Sequence, residues 1–180
     1  MRYVNEPTPG SLADMQDDAD PESVARTILL RRLTACSRTR KECLDDLVKR
    51  GIPLDVATQA VDRFVEVGLI DDAEYARLWA QSRHRTKGSA RSVLRQELRA
   101  KGVDDALTTE ALDEIDPAAE QQRARQLVEV RMRSMSRLDM PTRQRRLVSM
   151  LLRRGYPHSM AVGIVRDVLG EQPDIAPESL

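Results

Sequence analysis

Arginine is the residue through which this chain is best equipped to do chemistry. Arg91, Arg95 and Arg99 recur every fourth residue, Arg83 and Lys87 lead into them and Lys101 follows, while Glu97 is the one acid between Lys87 and Val103. On a helix that spacing sets the three guanidinium groups on one stripe, beside an apolar stripe of Ala90, Leu94 and Leu98. A second concentration holds Arg143, Arg145 and Arg146, with Arg153 and Arg154 after them and Arg123, Arg125, Arg131 and Arg133 before. Guanidinium is planar, permanently charged and matched to the two oxygens of a carboxylate or a phosphate. The chemistry on offer is recognition of a polyanion. The expected binding face is Arg83, Lys87, Arg91, Arg95, Arg99, Lys101, Arg143, Arg145 and Arg146. The plainer alternative is a solvated face, but such faces normally mix signs and these segments scarcely do.

Bond-making chemistry is poorly provided for. His84 and His158, the two histidines, stand in no nucleophile pattern, and no glycine-rich phosphate loop is present. The acidic pairs at 45–46, 71–72 and 104–105 fall where helices start or face solvent. Cys36 and Cys43 lack the second pair or the nearby histidines of a zinc site and read as reduced thiols. No catalytic residue, metal or cofactor is expected, and the chain does not read as an enzyme. Trp79, the single tryptophan, shares an expected helix face with Tyr75, Leu78 and Ser82 and reads as core. Proteins that stack single-stranded bases present several exposed aromatics, which this chain lacks.

The composition says what must position these arginines. Apolar residues make up 41% of the 180 and aromatics only 3%, so the core is built of Leu, Val, Ala and Met, and charged residues reach 32%. That suits helices with solvated outer faces better than strands, which favour aromatic and β-branched residues. The net charge of zero hides an asymmetry: residues 1–22 hold six acids and one base, residues 171–180 three acids and no base, so 23–170 carry 28 bases against 20 acids. A basic body lies between acidic tails, and such a body attracts polyanions or acidic protein surfaces. Only four of the 29 bases are lysine. No apolar run approaches the roughly 20 residues of a membrane span, and no signal peptide precedes the body. A cytoplasmic monomer without membrane contact is expected.

The body repeats. Aligned on Gly51, Gly102 and Gly155, the three stretches match at apolar positions: Cys43, Leu94 and Leu147 eight before; Leu47, Leu98 and Leu151 four before; Ile52, Val103 and Tyr156 one after. Val56, Leu107 and Met160 follow at five after, Val61, Leu112 and Val165 at ten, and Phe64, Ile115 and Val168 at thirteen. Glycines 51 and 53 residues apart mark tandem supersecondary units. Arg50, Lys101 and Arg154 precede them, cations suited to a helix C-terminus, and the glycine suits its left-handed cap. Each unit is a helical hairpin with a third helix before it, opened at Asp20-Pro21, at Asp71 with Glu74 as a capping-box variant, and at Asp116-Pro117.

The prediction is all-α: nine helices in three tandem three-helix units, forming an elongated, curved array. The units span 21–68, 69–115 and 116–170, between a disordered acidic segment at 1–20 and a flexible one at 171–180.

The run "GLIDDAEYARLWAQSR" followed by "KGSARSVLRQELRAKGV" resembles the middle unit of the RecX regulatory proteins of bacteria. The residues that carry the likeness are Asp71, Asp72, Tyr75, Ala76, Ser82, Arg83, Lys87, Gly88, Glu97, Leu98, Lys101, Gly102 and Val103. "SRTRKECLDDLVKRGI" and "LLRRGYP" match the first and last units, so the resemblance covers about 22–170. It implies tandem three-helix units that bind the recombinase RecA in the groove of its filament on single-stranded DNA. There they would restrain ATP hydrolysis, strand exchange and co-protease activity; the mechanism expected from the basic face is occupancy, without chemistry of the protein's own. Two departures stand out: Ser89–Ser92 lacks the Gly-Pro often found after Lys-Gly, and Cys43 is small for its place. The alternative is a direct DNA-binding protein of helix-turn-helix type, contacting single- or double-stranded DNA through phosphates. "IPLDVATQ", "VDDALTTE" and "YPHSMAVG" after the three glycines make acidic or apolar helix starts, poor for reading bases. A plain interaction scaffold is the third reading.

Overall fold

The computed structural model describes residues 20–170, and the two acidic tails lie outside the described residues. The described residues form nine helices and no strand: α1 (Pro21–Ala35), α2 (Arg40–Lys49), α3 (Leu54–Glu66), α4 (Asp72–Lys87), α5 (Arg91–Ala100), α6 (Asp105–Asp113), α7 (Pro117–Arg133), α8 (Met140–Arg153) and α9 (His158–Gly170).

Short polar side chains start most of them. Asp20 and Asp116 accept the N–H groups of Glu22 and Ala118 just before a proline at the first helical position, where the missing N–H costs nothing. Thr39 and Glu42 bond reciprocally as a full capping box on α2. Asp104 and Asp139 accept from Ala106 and Thr142.

The repeat register is the core register. Leu47, Leu98 and Leu151 are fully buried, as are Leu94, Leu147, Val61, Leu112 and Val165, while Cys43 is 1% exposed. Each buried leucine is worth roughly 1.5–3 kcal/mol. The helix before each repeat glycine ends in the same way. Ile52, Val103 and Tyr156 donate their N–H groups to the carbonyls of Leu47, Leu98 and Leu151, at 3.2, 3.1 and 3.2 Å. Gly51, Gly102 and Gly155 donate to Val48, Arg99 and Leu152, at 3.0, 3.0 and 2.9 Å. This doubly bonded cap needs a left-handed residue at its tip, and the three glycines hold φ near +85°, +81° and +86°. The residue after the glycine then packs on the leucine whose carbonyl it binds, so one motif ends the helix and aims the next.

Leu78 differs from expectation: it is 52% exposed, whereas Tyr75, Ala76 and Ala80 form the buried stripe of α4 and Trp79 lies at its edge. At 100° per residue that stripe centres between Ala76 and Trp79, and Leu78 falls well outside it.

The described residues up to Asp72 form one compact unit and those from Ala73 onward a second. The first is α1–α3 around Ala25, Leu29, Cys43, Leu47, Val61, Phe64 and Ile70. Its α2 is held further by Asp72, whose carboxylate accepts the Arg40 N–H at 2.8 Å. Burial raises the Asp72 pKa, and the bond from Arg40 opposes it. The second unit joins the second and third triplets, whose Ala90, on α5's leading edge, is buried in the same core as Val128, Leu147, Leu151, Tyr156 and Val165.

Candidate functional site

Most of the regular arginine stripe around α5 is engaged inside the protein. Arg91 donates to the Ile115 carbonyl and lies 3.7 Å from the carboxylates of both Glu120 and Asp113. Arg99 forks onto Asp105, both oxygens at 3.0 Å. Arg83 stands 3.4 Å from Glu97 and 4.2 Å from the centre of the Trp79 ring. Lys101 sits over the same ring at 4.4 Å and over Tyr75 at 5.4 Å, while Trp79 itself donates to Glu97 at 2.8 Å. This is a cation–π cluster whose cations are already committed. Lys87 and Arg95 are exposed. A four-residue spacing sets direction; only the neighbours decide whether a cation meets water or a carboxylate.

Arg91 belongs to a joint between the second and third triplets. Helix α5 has Ala90 at its N-cap and no side chain of its own to cap it. Its orphan N–H groups are met from the third triplet: Ala90 donates to the Arg154 carbonyl at 2.8 Å and Arg91 to Glu120 at 2.9 Å. The Ser92 hydroxyl donates to the Gly155 carbonyl at 2.6 Å. The C-terminus of α4 is met in the same way. Arg154 donates to the Lys87 carbonyl, Arg123 to that of Arg85 and the Tyr156 hydroxyl to that of Gly88. Helix ends leave several such groups unpaired, and here two ends are completed by one neighbour. The Ser89–Ser92 start, undefined by local sequence, is fixed by Glu120, which is only 8% exposed. A carboxylate suits the positive end of a helix. Burial pushes the Tyr156 hydroxyl up to about 12.

The third triplet holds the uncommitted charge. Arg131, Arg145, Arg146 and Arg153, together with Arg154, whose guanidinium already bonds the Lys87 carbonyl, line an open cleft of about 630 Å³ between the end of α7 and the outer face of α8, with Ser149, Met135 and Met150. It adjoins a second, of about 480 Å³, sharing Arg131, Met135 and Arg146 and adding Arg137 and Ser136. Neither has a carboxylate in its lining. Arg131, Arg137, Arg145, Arg146 and Arg153 are exposed, and no described acid lies within ion-pairing distance of them. The nearest influence is on Asp139, at the α8 N-cap: bonds from Thr142 hold its carboxyl below the usual range, and Arg145 adds a small push the same way. Arg143, by contrast, is spent locally, donating to the carbonyls of Leu138 and Ser136 at 2.9 and 2.8 Å to brace the α7–α8 turn. Arg125 pairs loosely with Asp167 at 3.9 Å.

Of the expected face, then, Arg145 and Arg146 come together in one cleft, with Arg131, Arg153 and Arg154 from the same basic run. Arg83, Arg91, Arg99, Lys101 and Arg143 have partners of their own, and Lys87 and Arg95 stand on the α4–α5 side. Arg137 was not singled out in the sequence; its signal was its place in a run from Arg131 to Arg146 whose only acid is Asp139. No group of three or more His, Cys, Asp or Glu that could hold a metal occurs among the described residues, and no described helix is long and apolar enough to cross a membrane.

Models of the first, second and third three-helix domains of RecX match residues 25–64, 71–112 and 119–162. The chain belongs to the RecX family of regulatory proteins. It is 46% identical over 165 residues to regulatory protein RecX of Mycolicibacterium smegmatis, covering 87% of each chain. It is 45% identical over 153 residues to regulatory protein RecX of Streptomyces lividans, covering 85% of this chain and 81% of that one. The crystal structure of RecX from Lactobacillus salivarius shares the fold, with a TM-score of 0.75 at 24% identity over 83% of this chain and 97% of that one. In this RecX family member the three domain matches each span one repeat glycine, and the Gly-centred cap lies in the C-terminal half of every matched range.

Proposed function

We propose that this protein is a negative regulator of the RecA recombinase. It binds the RecA filament on single-stranded DNA and, by occupancy, restrains ATP hydrolysis, strand exchange and co-protease activity. The observation that supports this beyond family membership is the arginine cleft of α7 and α8. Its exposed guanidinium groups, Arg131, Arg145, Arg146 and Arg153, with Arg137 of the adjoining cleft, face no acid of their own among the described residues, so their natural partner is an acidic surface on another molecule. The protein supplies no chemistry of its own. Lys87 and Arg95 extend the contact, while Arg83, Arg91, Arg99, Lys101 and Arg143 support it by holding helices in place. The three-helix units act as the rigid frame.

The test is the single-stranded-DNA-dependent ATPase of the cognate RecA, titrated with this protein at fixed DNA. Inhibition is expected well below stoichiometry to DNA sites. Arg145→Glu with Arg146→Glu should raise the half-inhibitory concentration at least about tenfold, the loss expected when a few charged contacts are reversed, with an unchanged helical circular dichroism spectrum. Full inhibition by that variant would remove the cleft from the interface. Binding to DNA without RecA is measured at the same salt, since phosphate contacts weaken steeply with salt. Inhibition that follows only DNA saturation favours the direct DNA-binding alternative.

A further inference from the structure

We propose that the arginine cleft of α7 and α8 is a binding site for an oligophosphate, a chain of two or more linked phosphate groups, free or carried by a nucleoside. The inference rests on reading that cleft as an anion-binding surface and adds a small ligand that competes there with an acidic partner.

The donors converge from two elements. On α8, Ser149, Met150 and Arg153 follow Arg146 at three, four and seven residues, which puts them on one face over two turns, about 10 Å at 1.5 Å per residue. Arg145 lines the same cleft, and Arg131 meets it from the end of α7; Arg131 and Arg146 also line the adjoining cleft. Neither lining holds a carboxylate. A lysine so crowded could shed its proton, but guanidinium stays charged, so the mutual repulsion lasts until an anion relieves it. The lining also selects the anion. Guanidinium offers five N–H donors and no acceptor, and beyond it the lining side chains offer only hydroxyls and weakly accepting thioethers. A folded acidic surface can touch the rim through its carboxylates, but a ligand filling the cleft must accept hydrogen bonds from every side. Linked phosphates do so, because their oxygens point all round the chain. A nucleic-acid strand spreads its charge along the backbone and leaves its bases in need of an aromatic platform, and neither lining contains an aromatic residue. The floor is apolar: Met135 is 5% exposed and belongs to the same core as Leu147 and Leu151. It shuts out water from beneath, where charged hydrogen bonds gain strength. The volume, about 630 Å³, is that of a small-molecule site.

The experiment is isothermal titration of the full chain with sodium tripolyphosphate at physiological ionic strength, without RecA, DNA or magnesium. One saturable site per chain is expected, at least about tenfold tighter than for orthophosphate, since several guanidinium forks are engaged at once. Arg146→Gln with Arg153→Gln should weaken binding about tenfold or more. Arg26→Gln with Arg31→Gln removes the same charge from exposed positions on α1 and should change it distinctly less. Urea midpoints followed by Trp79 fluorescence tell a lost site from a lost fold. On binding, the methyl resonances of Met135 and Met150 should shift, whereas that of Met140, which is exposed and lines neither cleft, should not. ATP in place of tripolyphosphate distinguishes the sources: equal affinity means that a nucleoside-borne chain is read, and clearly weaker binding assigns the site to the free chain. Equal losses in the two double variants would mean that net charge alone acts and would overturn the site. Tighter binding of an oligothymidylate or of hexaglutamate would overturn it too, making the cleft a surface for a strand or for an acidic protein. Failure of tripolyphosphate to bind removes the site and leaves the RecA reading standing. If Arg145→Glu with Arg146→Glu still inhibits RecA fully while the unaltered protein binds tripolyphosphate as expected, the RecA reading of the cleft falls and this site stands.

Discussion

Replacing Arg91 by leucine separates a structural arginine from a free one on the same stripe. In the folded protein its guanidinium donates to the Ile115 carbonyl and lies 3.7 Å from Glu120 and Asp113. Glu120 is 8% exposed and keeps, after the change, only the N–H of residue 91 as a donor. Stripping the partner from a fully buried ion pair costs about 3–5 kcal/mol. Here the Arg91 side chain is 27% exposed, so water compensates in part, and a loss of about 2 kcal/mol follows, in the range for a hydrogen bond to a charged group. Arg95→Leu removes the same charge four residues on, from an exposed side chain, and should shift stability by less than about 0.5 kcal/mol. The assay is urea unfolding followed by the fluorescence of Trp79, the single tryptophan, which lies in α4 of the same compact unit. Glu120→Gln combined with Arg91→Leu should recover a large part of the loss, since the pair is coupled. Coincident midpoints for Arg91→Leu and Arg95→Leu would refute the reasoning. For the proposed function the consequence is practical: loss of activity against RecA in an Arg91 variant would report folding, whereas loss in an Arg145 and Arg146 variant would report binding.

Gly155→Ala should destabilise more than Gly51→Ala, although both glycines hold the same turn. Both pay about 1–2 kcal/mol for a left-handed alanine, but a Cβ on Gly155 would stand 2.4 Å from the Ser92 hydroxyl and 2.7 Å from Val93 Cγ2, while Gly51 has nothing within 4 Å; overpacking adds about 1–3 kcal/mol, and equal midpoints in urea would contradict the joint. Alkaline conditions should weaken the fold in two steps. Burial pushes the Cys43 thiol from 9.0 up to about 11 and the Tyr156 hydroxyl from 10.0 up to about 12. Raised values mean that the folded state holds the proton, so the stabilisation is complete below pH 9 and is lost as pH rises through 11 and then 12. Tyr156→Phe should flatten the upper step in a pH series of urea midpoints, and at pH 8 iodoacetamide should modify exposed Cys36 well before buried Cys43.

The register of this fold was legible because the repeat encodes it twice, once in apolar spacing and once in the glycine. Leucine four before the glycine and an aliphatic or aromatic residue one after it are the two ends of a single capping motif, and both are local. That is why Leu47, Leu98 and Leu151, with Ile52, Val103 and Tyr156, could be placed from spacing alone. Asp20-Pro21 and Asp116-Pro117 were equally plain, since an N-cap and the proline after it act within one turn. Leu78 was misplaced because a stripe edge depends on which neighbour arrives, and α4 turns Ala76 and Ala80 inward.

The candidate binding surface was only half legible. The sequence by itself determined that the charge would be arginine, that it would be concentrated, and that helices would carry it. It could not tell which guanidinium groups would be consumed within the fold, because their partners lie far along the chain: Glu120 is 29 residues from Arg91, and the Lys87 carbonyl is 67 from Arg154. Those pairings arise only when the third triplet packs against the open helix ends of the second. Backbone groups at helix ends must find partners, and Arg91, Arg123 and Arg154 were drawn into that task. Arg131, Arg145, Arg146 and Arg153 were left facing outward without acids, and tertiary packing, rather than spacing, made the surface out of them.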